Sequence, residues 1–202
     1  MTRAEPPLSA TPTSTRSASP TPSVAPARPP AAGAPIDQVI RWIEAGTPVA
    51  ASAFHTATRD GVATPLGSDV AFTTPSGKTQ CMTDAGAGGE LACLVDLTNP
   101  PARPTDVEGE WKGGWVDFPG DALDVGSAHG DPGRFAKGTG PQLPYGQSLN
   151  FGDYRCRSDQ SGLFCVNYAR QSAARFSDGG IEPFGCLHRV DAPADIGEKF
   201  SC

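Results

Sequence analysis

The sequence predicts a mainly β fold: a small, disulfide-stapled twisted sheet or sandwich with a short N-terminal helix. Two observations support this prediction. First, the pairs Cys81/Cys93 and Cys156/Cys165 each enclose a polar, glycine-containing turn between β-prone runs, which is typical of a hairpin with a cysteine on each arm. Second, the six cysteines are even in number and show no C-x-x-C spacing, which indicates disulfides rather than a zinc or redox motif.

Composition divides the chain into a stalk and a domain. Residues 1–34 are dominated by proline, alanine, serine and threonine. Such a segment buries too little apolar surface to offset an ordering cost of about 1–2 kcal/mol per residue, so we predict a disordered, extended stalk. A dispensable tail is the alternative. Residues 35–202 are predicted to form a single disulfide-linked β-rich domain, a length sufficient for one hydrophobic core.

The domain is predicted to begin with a helix. Apolar side chains recur with helical spacing at Ile36, Val39, Ile40 and Ile43, with a proline just before them and a glycine just after. This apolar face is expected to cover the core of its own domain, and a partner-docking helix is the alternative.

The rest of the chain alternates between hairpins and irregular segments. The run Val70–Phe72 leads into the first cysteine hairpin, and residues 143–146 form a turn before the second. Residues 99–104 contain three prolines and cannot be a central strand. For residues 106–140, rich in glycine and aspartate, we expect long ordered loops, with short strands possible only at 115–118 and 133–137.

The cysteines are predicted to be structural rather than catalytic. Each disulfide between neighbours closes a short loop, which contributes about 2.5–3 kcal/mol in the chain-entropy model. Both central hairpins share the order cysteine, polar turn, apolar residue, one further residue, cysteine, which is a weak indication of an internal repeat. The predicted pairs are Cys81–Cys93, Cys156–Cys165 and Cys186–Cys202.

Charge argues against a nucleic-acid partner, and cysteine content indicates a location outside the cytoplasm. A net charge of −6 and a pI near 5.0 argue against binding to nucleic acid, which requires a basic patch. Six cysteines favour an oxidising compartment. The first residues lack the apolar segment of a secretory signal, so we expect a missing upstream signal or anchor, which would provide the only contact with a membrane. The predicted localisation is extracytoplasmic, in the cell envelope or secreted.

Several motifs together resemble a known family. They are the runs Phe72–Cys81, Gly89–Cys93, Leu143–Leu149, Tyr154–Cys156 and Gly162–Asn167. As a set they are similar to a family of uncharacterised secreted or lipid-anchored proteins of mycobacteria and related actinobacteria, over residues 70–184. The resemblance implies an envelope location and two cysteine hairpins, and it brings no catalytic residues. Residues 172–176 depart from the family, in which a glycine-rich turn precedes the phenylalanine.

Four residues form the candidate binding site: Glu110, Trp111, Trp115 and Asp117. Both tryptophans lie in a glycine-rich stretch with carboxylates on either side. An exposed indole beside a carboxylate suits stacking on a sugar ring with a hydrogen bond to its hydroxyls. The favoured alternative is that both indoles are buried and anchor a long loop, because tryptophan supplies much apolar area.

Other motifs are too incomplete to assign chemistry, so no catalytic residue, metal site or cofactor is predicted. Gly77-Lys-Thr lacks the first glycine of a phosphate-binding loop. A calcium site or a glycosidase pair among the acids is an alternative to solvated loop carboxylates. A serine triad through any one histidine is a further alternative. The acids are Glu108, Glu110, Asp117, Asp121, Asp124 and Asp131, and the histidines are His55, His129 and His188.

These observations predict a non-catalytic extracytoplasmic domain of the cell envelope. Its expected partner is a cell-wall glycan, a lipid or an envelope protein. The alternative is an extracytoplasmic hydrolase that uses the acidic carboxylates or a histidine.

Overall fold

The computed structural model describes residues 1–2, 28–129 and 133–202. The described residues form one α-helix, α1 (Ile36–Glu44), and three short 3-10 helices, Ala51–Phe54, Ala85–Ala87 and Gly133–Lys137. The strands are β1 (Thr47–Pro48), β2 (Thr56–Arg59), β3 (Val62–Pro65), β4 (Ala71–Thr73), β5 (Thr79–Asp84), β6 (Glu90–Val95), β7 (Glu110–Phe118), β8 (Ala122–His129), β9 (Gln147–Phe151), β10 (Tyr154–Asp159), β11 (Gly162–Asn167), β12 (Ser172–Ser177), β13 (Gly180–Gly185), β14 (His188–Val190) and β15 (Ile196–Ser201).

The strands form two open sheets and one separate hairpin. The seven-stranded sheet has the order β14-β15-β8-β7-β6-β5-β4, and the six-stranded sheet has the order β1-β9-β10-β11-β12-β13. All pairs within them are antiparallel except β1 with β9. The hairpin β2–β3 forms a two-stranded sheet of its own. The predicted mainly β class is therefore confirmed.

The two sheets pack face to face around one shared core. Phe118 of the seven-stranded sheet contacts Tyr154 and Phe176 of the six-stranded sheet, with ring centroids 5.7 Å and 6.4 Å away. The Tyr154 hydroxyl donates to the Phe118 carbonyl oxygen at 2.7 Å, which satisfies a polar group inside this core. The fold is therefore a β-sandwich, one of the two forms that the sequence predicts.

An outer layer covers each sheet. Helix α1 lies on the six-stranded sheet, where the Trp42 and Phe164 ring centroids are 4.6 Å apart. It begins directly after Pro35, and its apolar face covers the domain's own core, so this prediction is confirmed. On the other side of the sandwich, Ala57 of β2 and Phe135 of a 3-10 helix pack on the seven-stranded sheet.

Arginines from β10 bind the carboxyl end of α1. The Arg157 Nη1 atom donates to the Trp42 carbonyl oxygen at 2.5 Å, and the Arg155 Nη2 atom donates to that of Glu44 at 3.3 Å. The Arg157 guanidinium also lies 4.0 Å from the centroid of the Trp42 ring. These cations satisfy carbonyls left open at the end of a helix and complement its dipole.

Replacing Arg157 with glutamine is expected to lower the free energy of unfolding by about 1–3 kcal/mol, because a charged hydrogen bond and a cation–π contact are lost. Urea unfolding would measure the change. Arg175→Gln is the matched control: Arg175 also lies on the outer face of this sheet, and no described residue forms a hydrogen bond or ion pair with it. Equal losses in both variants would contradict the role given to Arg157.

The two sheets repeat one arrangement. Strands β4–β8 and β9–β13 are each five consecutive antiparallel strands, and in each set a disulfide joins the second strand to the third. The cysteine is the third residue of β5 and β10, and the fourth of β6 and β11, so each pair lies directly opposite in register. The third disulfide joins Cys186 to Cys202. All three predicted pairings are therefore present, and the weak sequence repeat corresponds to a repeated topology.

Residues 106–140 differ from the prediction. Instead of long loops they form the two longest strands among the described residues, β7 of nine residues and β8 of eight. Residues 133–137 are a 3-10 helix rather than a strand. The described residues 96–109 contain no strand, as the prolines predict. The predicted stalk lies mostly outside the described residues, and among those described no helix has the length and apolar character to span a membrane.

Candidate functional site

A bulge in β7 determines where the candidate binding residues lie. Lys112 pairs with Ser127, but the next pair is Val116 with Val125, so β7 contains two extra residues at this point. A Cβ atom on Gly114 would lie 2.0 Å from the Val95 carbonyl oxygen. Glycine is therefore required here because the backbone of β7 passes so close to β6. The stretch interpreted as a glycine-rich loop is a bulged strand.

Trp115 lies beneath the surface on one side of the bulge. Its side chain is buried, and its ring stacks on the His129 imidazole with centroids 3.6 Å apart. Phe135 meets the same indole edge-on at 5.1 Å. The exposed binding role predicted for Trp115 is therefore wrong, and the alternative of burial holds, because the indole anchors the 3-10 helix that contains Phe135.

Asp117 lies at the centre of a polar cluster beside this indole. Its Oδ2 atom accepts a hydrogen bond from Trp115 Nε1 at 2.9 Å. The side chain of Arg134 approaches Asp117 Oδ1 to 3.9 Å and donates to the Glu90 carbonyl oxygen at 2.9 Å. Asp117 thus joins the sheet to the 3-10 helix, and its carboxylate is occupied by protein partners.

His129 completes the cluster without forming a serine triad. Its Nε2 atom lies 2.6 Å from Ser127 Oγ and 3.8 Å from Asp117 Oδ2. A triad requires the serine and the carboxylate on opposite nitrogens of the ring, whereas here both lie on the same nitrogen. Ser127 is also buried. The other two histidines have different surroundings. His55 Nδ1 forms a hydrogen bond with the Asp69 carbonyl oxygen, and His188 is exposed on β14.

The partly buried position of His129 predicts that the stability of the protein depends on pH. Burial lowers the pKa of His129, which outweighs the opposing effect of the Asp117 carboxylate. The unfolded chain therefore binds the His129 proton more tightly than the folded protein does. The free energy of unfolding keeps its full value above the pKa of His129 in the unfolded chain, about 6.5, and decreases as the pH drops through the pKa in the folded protein. Urea unfolding at about pH 7.5 and about pH 5.5 should show a smaller drop for His129→Gln than for the parent. Equal drops in the two proteins would contradict this role.

Trp111 lies on the other side of the bulge and is partly exposed. Its Nε1 atom donates to the Pro101 carbonyl oxygen at 3.1 Å, and a Cβ on Gly126 would lie 2.9 Å from its ring. The indole is thus fixed at its edge while part of it faces solvent. The neighbouring Glu110 carboxylate is exposed and lies 3.9 Å from Lys112 Nζ. Of the four candidate residues, Glu110 is therefore exposed and Trp111 partly exposed, whereas Trp115 is buried and the partly exposed Asp117 carboxylate is bound by protein partners.

The remaining acids of this region do not converge. Asp121 pairs with Arg170 at 3.7 Å, and Asp124 pairs with Lys199 at 2.6 Å. Asp131 lies outside the described residues. Asp117 lies beside Arg134. The three described aspartates considered as calcium ligands therefore each face a different cation. No group of three or more metal-ligating side chains comes together in the described part of the chain.

Two adjoining hollows at one end of the sandwich are not apparent in the sequence. The first, the turn hollow, has a volume of about 150 Å³ and lies between the turns that join β4 to β5, β10 to β11 and β12 to β13. The second, the edge hollow, has a volume of about 220 Å³ and is lined by Pro101, Val125, Ile181 and Glu198 among others. Asp178 lines both. Their residues come from distant parts of the chain, so only the fold brings them together.

The fold and these surfaces define a two-sheet β-sandwich with a disulfide in each central hairpin. Comparison with known proteins finds no family model, no curated protein and no solved structure that matches the chain. The resemblance to an actinobacterial envelope family therefore depends on the sequence motifs alone and stays a prediction.

Proposed function

We propose that this chain is a non-catalytic, extracytoplasmic domain of the cell envelope that binds a wall, lipid or protein component through Trp111 and Glu110. The observation that carries the proposal is the state of Trp111: a partly exposed indole, fixed through its N–H, and next in sequence to the exposed Glu110. An aromatic side chain held in place before binding loses little conformational freedom when a ligand arrives. Tryptophan is accordingly enriched among the residues that dominate binding energy.

The proposed location is supported by the disulfides. Three disulfides in a chain of this size indicate an oxidising compartment. The cell envelope is the more specific part of the proposal and is supported by the motifs described above.

The test is a pull-down from solubilised actinobacterial envelope with the full chain, its disulfides intact. Trp111→Ala is compared with Tyr145→Ala, a matched control at another exposed aromatic residue. Circular dichroism verifies the fold of both. We expect one envelope component to be enriched by the parent and by Tyr145→Ala, and lost with Trp111→Ala. Equal recovery by all three proteins would contradict the site, and turnover of an envelope polymer by the purified chain would contradict the non-catalytic role.

A further inference from the structure

We infer that the ligand is a neutral, polyhydroxylated chain, such as a linear glycan, which runs from Trp111 through the edge hollow to the turn hollow. This inference rests on the proposed binding function and adds the class of ligand and the path it takes.

Continuity comes from shared residues. Trp111 donates its indole N–H to the carbonyl oxygen of Pro101, and Pro101 also lines the edge hollow. Asp178 then borders both hollows, and its carbonyl oxygen accepts a hydrogen bond from Thr98 N at 2.8 Å. The partly exposed indole, the edge hollow and the turn hollow therefore follow one another along the surface.

The lining of the turn hollow suits hydroxyl groups. It presents the hydroxyls of Ser76, Ser161 and Ser177 with the amide of Gln160. The Ser161 and Ser177 hydroxyls donate their protons to Asp159 Oδ1 and to the Gly180 carbonyl oxygen, so toward a ligand they act as acceptors, whereas the Gln160 amide can both donate and accept. The turn of β10–β11 is fixed internally, because Asp159 Oδ1 accepts from Ser161 N at 2.9 Å and from its Oγ at 2.7 Å. A sugar, which also donates and accepts at each hydroxyl, fits such a set of fixed polar groups better than an apolar ligand does.

The charge of the lining disfavours acidic ligands. The ionisable residues that line the two hollows are one cation, Lys78, and three carboxylates, Asp159, Asp178 and Glu198. The ammonium of Lys78 is already paired with the Asp178 carboxylate, and Arg189 pairs with Glu198 at 2.9 Å. A phosphorylated or uronic-acid polymer would meet the carboxylate of Asp159 and no unpaired lysine or arginine among the described lining residues, so a neutral chain is favoured.

Size favours a linear ligand over a compact one. Each hollow, at about 150 Å³ and about 220 Å³, is smaller than the roughly 300–1,000 Å³ typical of a pocket for one small molecule. Two small adjoining hollows with an aromatic ring beside them suit successive units of an extended chain. Affinity would then come from several modest contacts.

The test is calorimetric titration of the full, oxidised chain with three neutral hexasaccharides, cellohexaose, maltohexaose and chitohexaose, and with an acidic one, hexagalacturonate. The hollow variant is Gln160→Ala with Asp178→Asn, where the asparagine keeps an acceptor for Lys78. The control is Asn150→Ala, an exposed residue on β9. We expect at least one neutral hexasaccharide to bind, hexagalacturonate not to bind, and the hollow variant and Trp111→Ala each to raise its Kd roughly tenfold. Asn150→Ala should bind like the parent.

The outcomes separate this inference from the function it rests on. If Trp111→Ala weakens binding and the hollow variant does not, the path through the hollows is wrong and the site at Trp111 stands. If no neutral hexasaccharide binds, or if hexagalacturonate binds as tightly, the ligand class is wrong, whether or not the envelope pull-down succeeds. If neither variant weakens binding of a neutral hexasaccharide, both the path and the site at Trp111 are overturned.

Discussion

Replacing Phe118 with alanine is expected to lower the free energy of unfolding by about 3–5 kcal/mol, the usual loss for a buried phenylalanine. The Phe118 side chain is fully buried between the sheets and contacts the rings of Tyr154 and Phe176. Its removal would leave a cavity at the contact that holds the two sheets together, and close packing allows such a cavity to collapse only in part. Urea unfolding of the oxidised protein would measure the change.

Phe118→Leu is the matched control for this prediction, because it retains most of the buried apolar volume. Its expected loss is below that of the alanine variant, at about 1–2 kcal/mol. A loss under about 1 kcal/mol for Phe118→Ala would contradict the role given to this side chain in joining the sheets.

Replacing Gly114 with alanine is expected to destabilise the protein by about 3 kcal/mol or more, which exceeds the usual effect of a single substitution. The added Cβ would lie 2.0 Å from the carbonyl oxygen of Val95, and backbone rather than a flexible side chain would have to move. The same movement would displace Trp111 and Trp115, which flank the bulge in β7. Loss of stability and a change in tryptophan fluorescence should therefore appear together.

Gly179→Ala is the control for Gly114→Ala, because a Cβ at this turn glycine meets only the Ser177 hydroxyl, at 3.8 Å. Its expected effect on the free energy of unfolding is within about 0.5 kcal/mol. If the two variants were equally stable, the close passage of β7 past β6 would not be the reason for glycine at position 114.

The features that the sequence predicts are those encoded by local patterns. The spacing of Val39 and Ile43 predicts helix α1, and the short turn between Cys156 and Cys165 predicts both a hairpin and its disulfide. In each case neighbours in the sequence are also neighbours in space, so the pattern is sufficient.

The features that the sequence misses depend on distant contacts. The bulge at Gly113 and Gly114 breaks the alternation by which β7 would be recognised, and the need for glycine becomes visible only when Val95 is beside it. Trp111 and Trp115 lie four residues apart in one glycine-containing stretch, yet one is partly exposed and the other is buried under Phe135. The signal that could have separated them is the bulge itself, which takes the two residues to different surroundings.

The position of β15 in the seven-stranded sheet has a consequence for the order of folding. This strand pairs with β8 on one side and β14 on the other, although about 70 residues separate it in sequence from β8. Until residues 196–201 have joined the sheet, β8 has an unpaired edge and the site of Phe200 in the core is empty. An unpaired edge of this kind invites pairing with other chains, so a holding chaperone that keeps the chain unfolded until then would suppress aggregation.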